Sequence, residues 1–114
     1  RITACTDVAE ALRAADGLVN ATPMGMLSHP GSPVDVELLD PRIWVADIVY
    51  FPLETELLAA ARARGCRTLD GSGMAVHQAA AAFEIFTGRR AEVERMRRSF
   101  MEFRLAQGTA TASA

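Results

Sequence analysis

Hydrophobic and polar residues along the chain are grouped in short blocks that predict helices and strands in turn. Two blocks have apolar residues three or four positions apart, which is typical of helices: residues 6–14 and 54–64. Three short apolar runs are typical of buried strands: residues 17–20, 44–49 and 67–69. Helices that alternate with single strands favour a parallel sheet, because parallel strands need a long crossover between them. The pattern therefore predicts an α/β fold.

The same pattern predicts which side chains face the core. The first helix is expected to begin at the N-cap Thr6 and to bury Val8 and Leu12. The strand over 44–49 is apolar apart from Asp47, as expected of a strand that is covered on both faces. The inward residues of the second helix are Leu57, Leu58 and Ala61.

The last third of the chain predicts two longer helices and a tail. The second of these helices covers about residues 91–105, and its apolar residues recur at steps of three and four: Val93, Met96, Phe100 and Phe103. Such a stripe is either left exposed in this chain or covered by a second copy, and the sequence predicts a homo-oligomer. Residues 107–114 are small and polar without patterning, and we expect them to form a disordered tail.

Composition narrows the classes of partner. The net charge of −2 is too small to favour nucleic acid or an anionic membrane, and no apolar run approaches the roughly 18 residues that span a bilayer. Cys5 and Cys66 lack metal or redox spacing, so we interpret them as small hydrophobic residues of a cytoplasmic protein. His29 and His77 have no apparent metal-ligand partners, so no metal site is predicted.

A glycine turn is the strongest local sign of ligand binding. Gly71 and Gly73 follow a short strand and precede an Ala-rich helix that carries the uncharged amide Gln78. This order is typical of backbone brought close to a ligand at the C-terminal edge of a parallel sheet. Spacing alone also allows plain alternatives, in which Gly71 is only a turn residue, Gln78 is a solvated helix residue and Tyr50 is a half-buried aromatic residue.

Three segments, in order, resemble shikimate dehydrogenase and its quinate/shikimate dehydrogenase relatives. They are Val19 to Met26, then Asp47 to Tyr50 with Pro52 and Thr55, then the glycine turn and helix over 70–88. The resemblance covers roughly residues 6 to 105. Residues 50–56, and His77 before Gln78, are similar to the actinobacterial quinate/shikimate type.

The resemblance implies a fold and an activity. The fold is a three-layer Rossmann-like parallel sheet portion with C-terminal helices, and residues 1–114 are the C-terminal part of an NAD(P)-binding domain. The activity is reversible hydride transfer between NADP(H) and shikimate or 3-dehydroshikimate, in aromatic amino-acid biosynthesis. NAD-dependent oxidation of quinate or shikimate is the alternative within the family. A non-catalytic interaction module is the alternative of another class.

The resemblance also implies roles for particular residues. Substrate-binding roles fall on Tyr50 and Gln78, and cofactor-binding roles on Asn20, Ala21, Thr22, Ile48 and Gly71, although burial in a strand explains Ile48 equally well. The family's catalytic Lys and Asp have no counterpart here: all twelve basic residues are Arg, and GxGxxG is absent. We therefore expect the catalytic residues to lie outside this chain and the 114 residues alone to be inactive.

Overall fold

The computed structural model describes the backbone of residues 1–112 and the side chains of residues 1–108. These residues form two compact units, the first covering Arg1–Gly71 and the second beginning at Ser72.

The first unit is a three-stranded parallel sheet with its connecting helices. Its elements are α1 (Val8–Ala14), β1 (Gly17–Asn20), a short 3₁₀ helix (Val36–Leu38), β2 (Trp44–Asp47), α2 (Glu56–Ala63) and β3 (Arg67–Leu69). The strand order is β1-β2-β3, and Asn20 lies opposite Asp47 where β1 and β2 end. The predicted α/β fold with a parallel sheet is confirmed.

Helices α1 and α2 supply side chains to one core together with β2 and its flanking residues. The buried members of this core are Leu12, Leu39, Ile43, Val45, Leu57, Leu58, Ala61 and Cys66. The predicted inward residues of α2 are therefore confirmed. Val8 was predicted to be buried, but it is 41% exposed, because α1 reaches the core through Leu12 in its second turn.

The opposite face of the sheet is exposed. Val45 and Asp47 of β2 are buried, whereas Trp44 is 40% exposed, because successive residues of a strand point to opposite faces. Val19 and Leu69 are exposed as well. The prediction that residues 44–49 are covered on both faces is therefore wrong for this chain, and the first unit by itself contributes two layers.

Side-chain caps set the helix starts. The N-cap of α1 is Asp7 rather than Thr6, and its carboxylate accepts a hydrogen bond from the Glu10 backbone N–H at 2.9 Å. Helix α2 starts at Glu56 and not at residue 54, because Thr55 is its N-cap. Helix α2 ends at Ala63, and Gly65 follows it with a φ of 86°.

The second unit consists of α3 (Ser72–Thr87) and α4 (Val93–Ala112), which pack against each other. Val93, Met96 and Phe100 of the predicted stripe are half-buried, and Phe103 is exposed. Helix α4 continues to Ala112 and so includes residues 107–112 of the predicted tail. Residues 113 and 114 of that tail lie outside the described residues.

The two cysteines differ in environment. Cys66 is buried in the core, and its thiol donates a hydrogen bond to the Asp40 carbonyl oxygen at 3.3 Å. Burial raises the pKa of the Cys66 thiol above its ordinary value, and the nearby Arg64 charge opposes this only in part. Cys5 is exposed.

No helix within residues 1–112 is both long enough and apolar enough to cross a membrane.

Candidate functional site at the strand ends

A buried pair of polar side chains joins the ends of β1 and β2. Asn20 and Asp47 are neighbours in the sheet register and are only 2% and 3% exposed. The Asn20 Nδ2 donates a hydrogen bond to the Asp47 Oδ1 at 3.0 Å. Burying a carboxylate is costly unless hydrogen bonds satisfy it, so this pair depends on its other partners as well.

Asp47 anchors the segment that follows β2. Its Oδ1 also accepts a hydrogen bond from the Val49 backbone N–H at 2.9 Å, and its Oδ2 accepts one from the Thr55 hydroxyl at 2.8 Å. The Thr55 Oγ1 in turn accepts a hydrogen bond from the Leu58 N–H at 3.2 Å and caps α2. One carboxylate therefore bonds both ends of residues 48–55, a segment that contains a cis peptide bond before Pro52.

Asn20 anchors the loop that follows β1. Its Oδ1 accepts hydrogen bonds from the backbone N–H and the hydroxyl of Thr22, at 3.0 and 2.6 Å. Its Nδ2 donates to the Met24 carbonyl oxygen at 2.9 Å as well as to Asp47. Both polar atoms of the Asn20 side chain are thus bonded within the protein, whereas Ala21 and Thr22 are exposed.

Three further predicted residues follow β2 and β3. Ile48 and Tyr50 come directly after β2, and both are exposed. Gly71 comes after β3 and is buried. A Cβ atom at Gly71 would lie 2.7 Å from the carbonyl oxygens of Ile48 and Val49, closer than real Cβ contacts allow. The bare backbone of Gly71 is therefore packed against the segment that follows β2.

The first unit thus gathers Ala21, Thr22, Ile48, Tyr50 and Gly71 on segments that leave the C-terminal ends of adjacent parallel strands. The predicted substrate residue Gln78 belongs to the second unit. It lies in the second turn of α3, as the sequence indicated, and is exposed. Its Nε2 donates a hydrogen bond to the Ala75 carbonyl oxygen at 3.2 Å, which holds the amide along the helix.

Sequence reasoning missed the network of Asn20, Asp47 and Thr55. In the sequence, Asp47 and Thr55 stand out only as members of a motif. The position of Thr55, directly before an amphipathic helix, was an available N-cap signal. In the described part of the chain, no group of three or more His, Cys, Asp or Glu residues is arranged to hold a metal ion.

Comparison with known proteins identifies the family. Residues 71–99 match the family model of the shikimate 5'-dehydrogenase C-terminal domain. The chain is 62% identical over 94 residues to a quinate/shikimate dehydrogenase (NAD(+)) of Corynebacterium efficiens, covering 82% of this chain and 33% of that protein. The chain belongs to the shikimate dehydrogenase family. The resemblance predicted from the sequence is therefore confirmed.

A second relative and a solved structure of the family are also similar to this chain. A shikimate dehydrogenase (NADP(+)) of Pseudarthrobacter chlorophenolicus is 57% identical over 104 residues, which are 91% of this chain and 36% of the relative. The structure of quinate dehydrogenase from Corynebacterium glutamicum in complex with NAD is 56% identical, with a TM-score of 0.79 over 84% of this chain and 34% of that one. The chain spans about a third of the length of the relatives it matches.

Proposed function

We propose that this chain is the C-terminal, NAD(P)-binding portion of a dehydrogenase that transfers hydride reversibly between NADP(H) and shikimate or 3-dehydroshikimate. The supporting observation is the position of Ala21, Thr22, Ile48 and Tyr50, which are exposed just beyond the C-terminal ends of adjacent parallel strands. Ligands of open parallel sheets bind in the crevice at this edge. The relatives are named for NAD or NADP, which supports a dinucleotide as the ligand.

The residues at this edge fit a dinucleotide. Segments 20–23 and 48–53 contain no charged side chain, so they do not repel an anionic cofactor. Ile48 provides apolar surface and Thr22 a hydroxyl group. In this proposal Asn20, Ala21 and Thr22 form the segment on the adenosine side, and Ile48 and Gly71 line the nicotinamide pocket. When bound, NAD(P) supplies the hydride chemistry.

Tyr50 and Gln78 position the substrate in this proposal. A phenol and an amide each donate and accept hydrogen bonds, which suits a ring hydroxyl or a carboxylate without burying another charge. No residue of this chain is assigned the proton transfer. That role belongs to the Lys and Asp that the family resemblance places outside it.

A second candidate is NAD-dependent oxidation of quinate or shikimate. The 62% identity over 94 residues to the relative named quinate/shikimate dehydrogenase (NAD(+)) supports this candidate. Measuring kcat/KM of the full-length enzyme for shikimate and quinate, each with NAD and NADP, separates the two. No turnover in all four combinations would favour a non-catalytic interaction module instead.

The proposed location is the cytoplasm. Both cysteines are free thiols, as is usual in a reducing compartment.

In the full-length enzyme, Tyr50→Phe and Gln78→Ala should each lower kcat/KM for the substrate about two- to tenfold. Each change removes one hydrogen bond to a bound hydroxyl, worth roughly 0.5–1.5 kcal/mol, and the loss is larger if the partner is a carboxylate. The Kd of the cofactor should stay unchanged. Steady-state kinetics with each substrate varied in turn, together with direct NAD(P) binding, measures both quantities.

His77→Ala is the matched control for Gln78→Ala, since His77 is the exposed neighbour on the same helix. It should leave kcat/KM near the wild-type value. If Tyr50→Phe and Gln78→Ala also keep wild-type kcat/KM for shikimate and quinate, the two residues have only a structural role.

We infer further that the protein is a homo-oligomer in which a second copy covers apolar residues of the second unit. Ile85 and Phe86 near the end of α3 are 80% and 86% exposed, and Phe103 of α4 is exposed too. Sedimentation velocity of the protein at micromolar concentration should show a dimer or larger species. Phe86→Glu should shift the distribution of species toward the monomer. Leu27→Glu, an equally polar change at an exposed loop residue of the first unit, is the control. A wild-type monomer that binds no hydrophobic dye would contradict this inference.

A further inference from the structure

The geometry points to Asp47 as a positioning residue. From a buried position, it holds in place the loop that follows β1 and the segment that follows β2, which carry the proposed cofactor- and substrate-binding residues. This inference rests on the proposed function and extends it to a residue that does not itself contact a ligand. Asp47 is buried, and its carboxylate is bonded to three donors: the Asn20 side chain at the end of β1, and the Val49 backbone and Thr55 hydroxyl of the segment after β2.

Asp47 holds the segment that carries Tyr50 at two points. Val49 is bonded to Oδ1 and Thr55 is bonded to Oδ2 of the same carboxylate. Ile48 and Tyr50 are the direct neighbours of Val49, so a shift of the carboxylate moves both. Thr55 fixes the far end of the segment, because it is also the N-cap of α2. The path of the exposed residues is therefore determined by a buried group.

Asp47 also acts, through Asn20, on the loop that carries Ala21 and Thr22. Asn20 can bond the Thr22 N–H and the Asp47 carboxylate at once only if its Oδ1 faces Thr22 and its Nδ2 faces Asp47. A carboxylate accepts hydrogen bonds and never donates them when ionised, so Asp47 selects this orientation of the amide. The orientation in turn fixes Thr22 and the Met24 carbonyl group.

The loop after β1 and the segment after β2 also contact each other directly. Gly25, with a φ of 103°, lies so close to Thr55 that an added Cβ would be 3.2 Å from the Thr55 Cγ2. The loop after β1 therefore packs on the same threonine that Asp47 holds. The two segments share one anchor and are expected to move together.

Asp47→Asn is the sharpest test because it keeps the size of the side chain and replaces one acceptor oxygen with a donor. If the amide oxygen keeps Asn20 and Val49, the amide nitrogen faces Thr55, whose hydroxyl proton then loses its acceptor. Thr55→Val removes the same hydrogen bond from the other side, together with the N-cap bond to the Leu58 N–H, and keeps the shape of the side chain. Thr55→Ser retains the hydroxyl group and is the conservative rescue.

In the full-length enzyme, we expect Asp47→Asn and Thr55→Val to lower kcat/KM for shikimate or quinate by about tenfold or more, because small misplacements of contact groups reduce rates steeply. The Kd of NAD(P) should rise several-fold in the same variants. Thr55→Ser should keep wild-type values. Asp7→Ala, which removes the N-cap of α1 far along the chain from this network, should lower the Tm without changing kcat/KM.

Two results overturn the inference. One is wild-type kcat/KM and cofactor Kd in both Asp47→Asn and Thr55→Val. The other is a Thr55→Ser variant that loses as much kcat/KM as Thr55→Val does. If the wild-type enzyme turns over neither shikimate nor quinate, the proposed function fails instead. Hydrogen exchange then decides the positioning role. Faster exchange of the amides in both 21–26 and 48–54 in Asp47→Asn supports it, and unchanged exchange refutes it.

Discussion

Asp47→Ala should lower the free energy of unfolding by about 3 kcal/mol or more. The change leaves the Asn20 amide, the Val49 N–H and the Thr55 hydroxyl without their buried acceptor. Each unsatisfied buried group costs about 1–3 kcal/mol. The loss is a large share of the roughly 5–15 kcal/mol that stabilises a typical domain. Urea unfolding followed by the fluorescence of the single tryptophan, Trp44 of β2, reports on the sheet.

Asp7→Ala is a matched control for this measurement, since Asp7 is an aspartate that also accepts a backbone hydrogen bond but is exposed. Loss of an N-cap costs about 0.5–2 kcal/mol. Asp47→Ala should therefore be clearly more destabilising than Asp7→Ala. Equal losses would mean that the buried network is worth no more than one helix cap.

Local patterns predicted those parts of the fold that depend on neighbouring residues. The spacing of Leu57, Leu58 and Ala61 identified the buried face of α2, because helical periodicity alone determines which residues share a face. The same reasoning failed for Val8, which lies on the correct face of α1 but in a turn that does not reach the core. The extent of a packing surface depends on distant parts of the chain.

The candidate site also depends in part on contacts between distant parts of the chain, which local patterns do not predict. The resemblance predicted cofactor and substrate residues that fall just after strand ends, and the structure places Ala21, Ile48 and Tyr50 there. The cofactor-binding role that the resemblance implies for Asn20 stays a prediction, and the structure adds that the Asn20 side chain is bonded to Thr22, Met24 and Asp47. The Asn20–Asp47 pair depends on the register of two strands that lie 27 residues apart, which no local pattern specifies.

Gly71→Ala should lower the free energy of unfolding by about 1–3 kcal/mol, in the range found for overpacked sites. The new Cβ would lie 2.7 Å from the carbonyl oxygens of Ile48 and Val49 and 2.9 Å from the Val49 carbonyl carbon. These are backbone atoms, so no side-chain rotation relieves the contact. The segment after β2 has to shift, although Asp47 bonds it at Val49. In the full-length enzyme the same variant should therefore also weaken cofactor binding.

Gly73→Ala separates this contact from the general effect of replacing a glycine. Gly73 lies two residues further along the chain, in α3, and an added Cβ there meets nothing within 4 Å. Because alanine favours helix over glycine by up to about 1 kcal/mol, Gly73→Ala should leave the free energy of unfolding unchanged or raise it. The two variants should thus change stability in opposite directions or differ clearly in size. If Gly71→Ala is as stable as Gly73→Ala, the backbone contact at Ile48 and Val49 does not constrain residue 71.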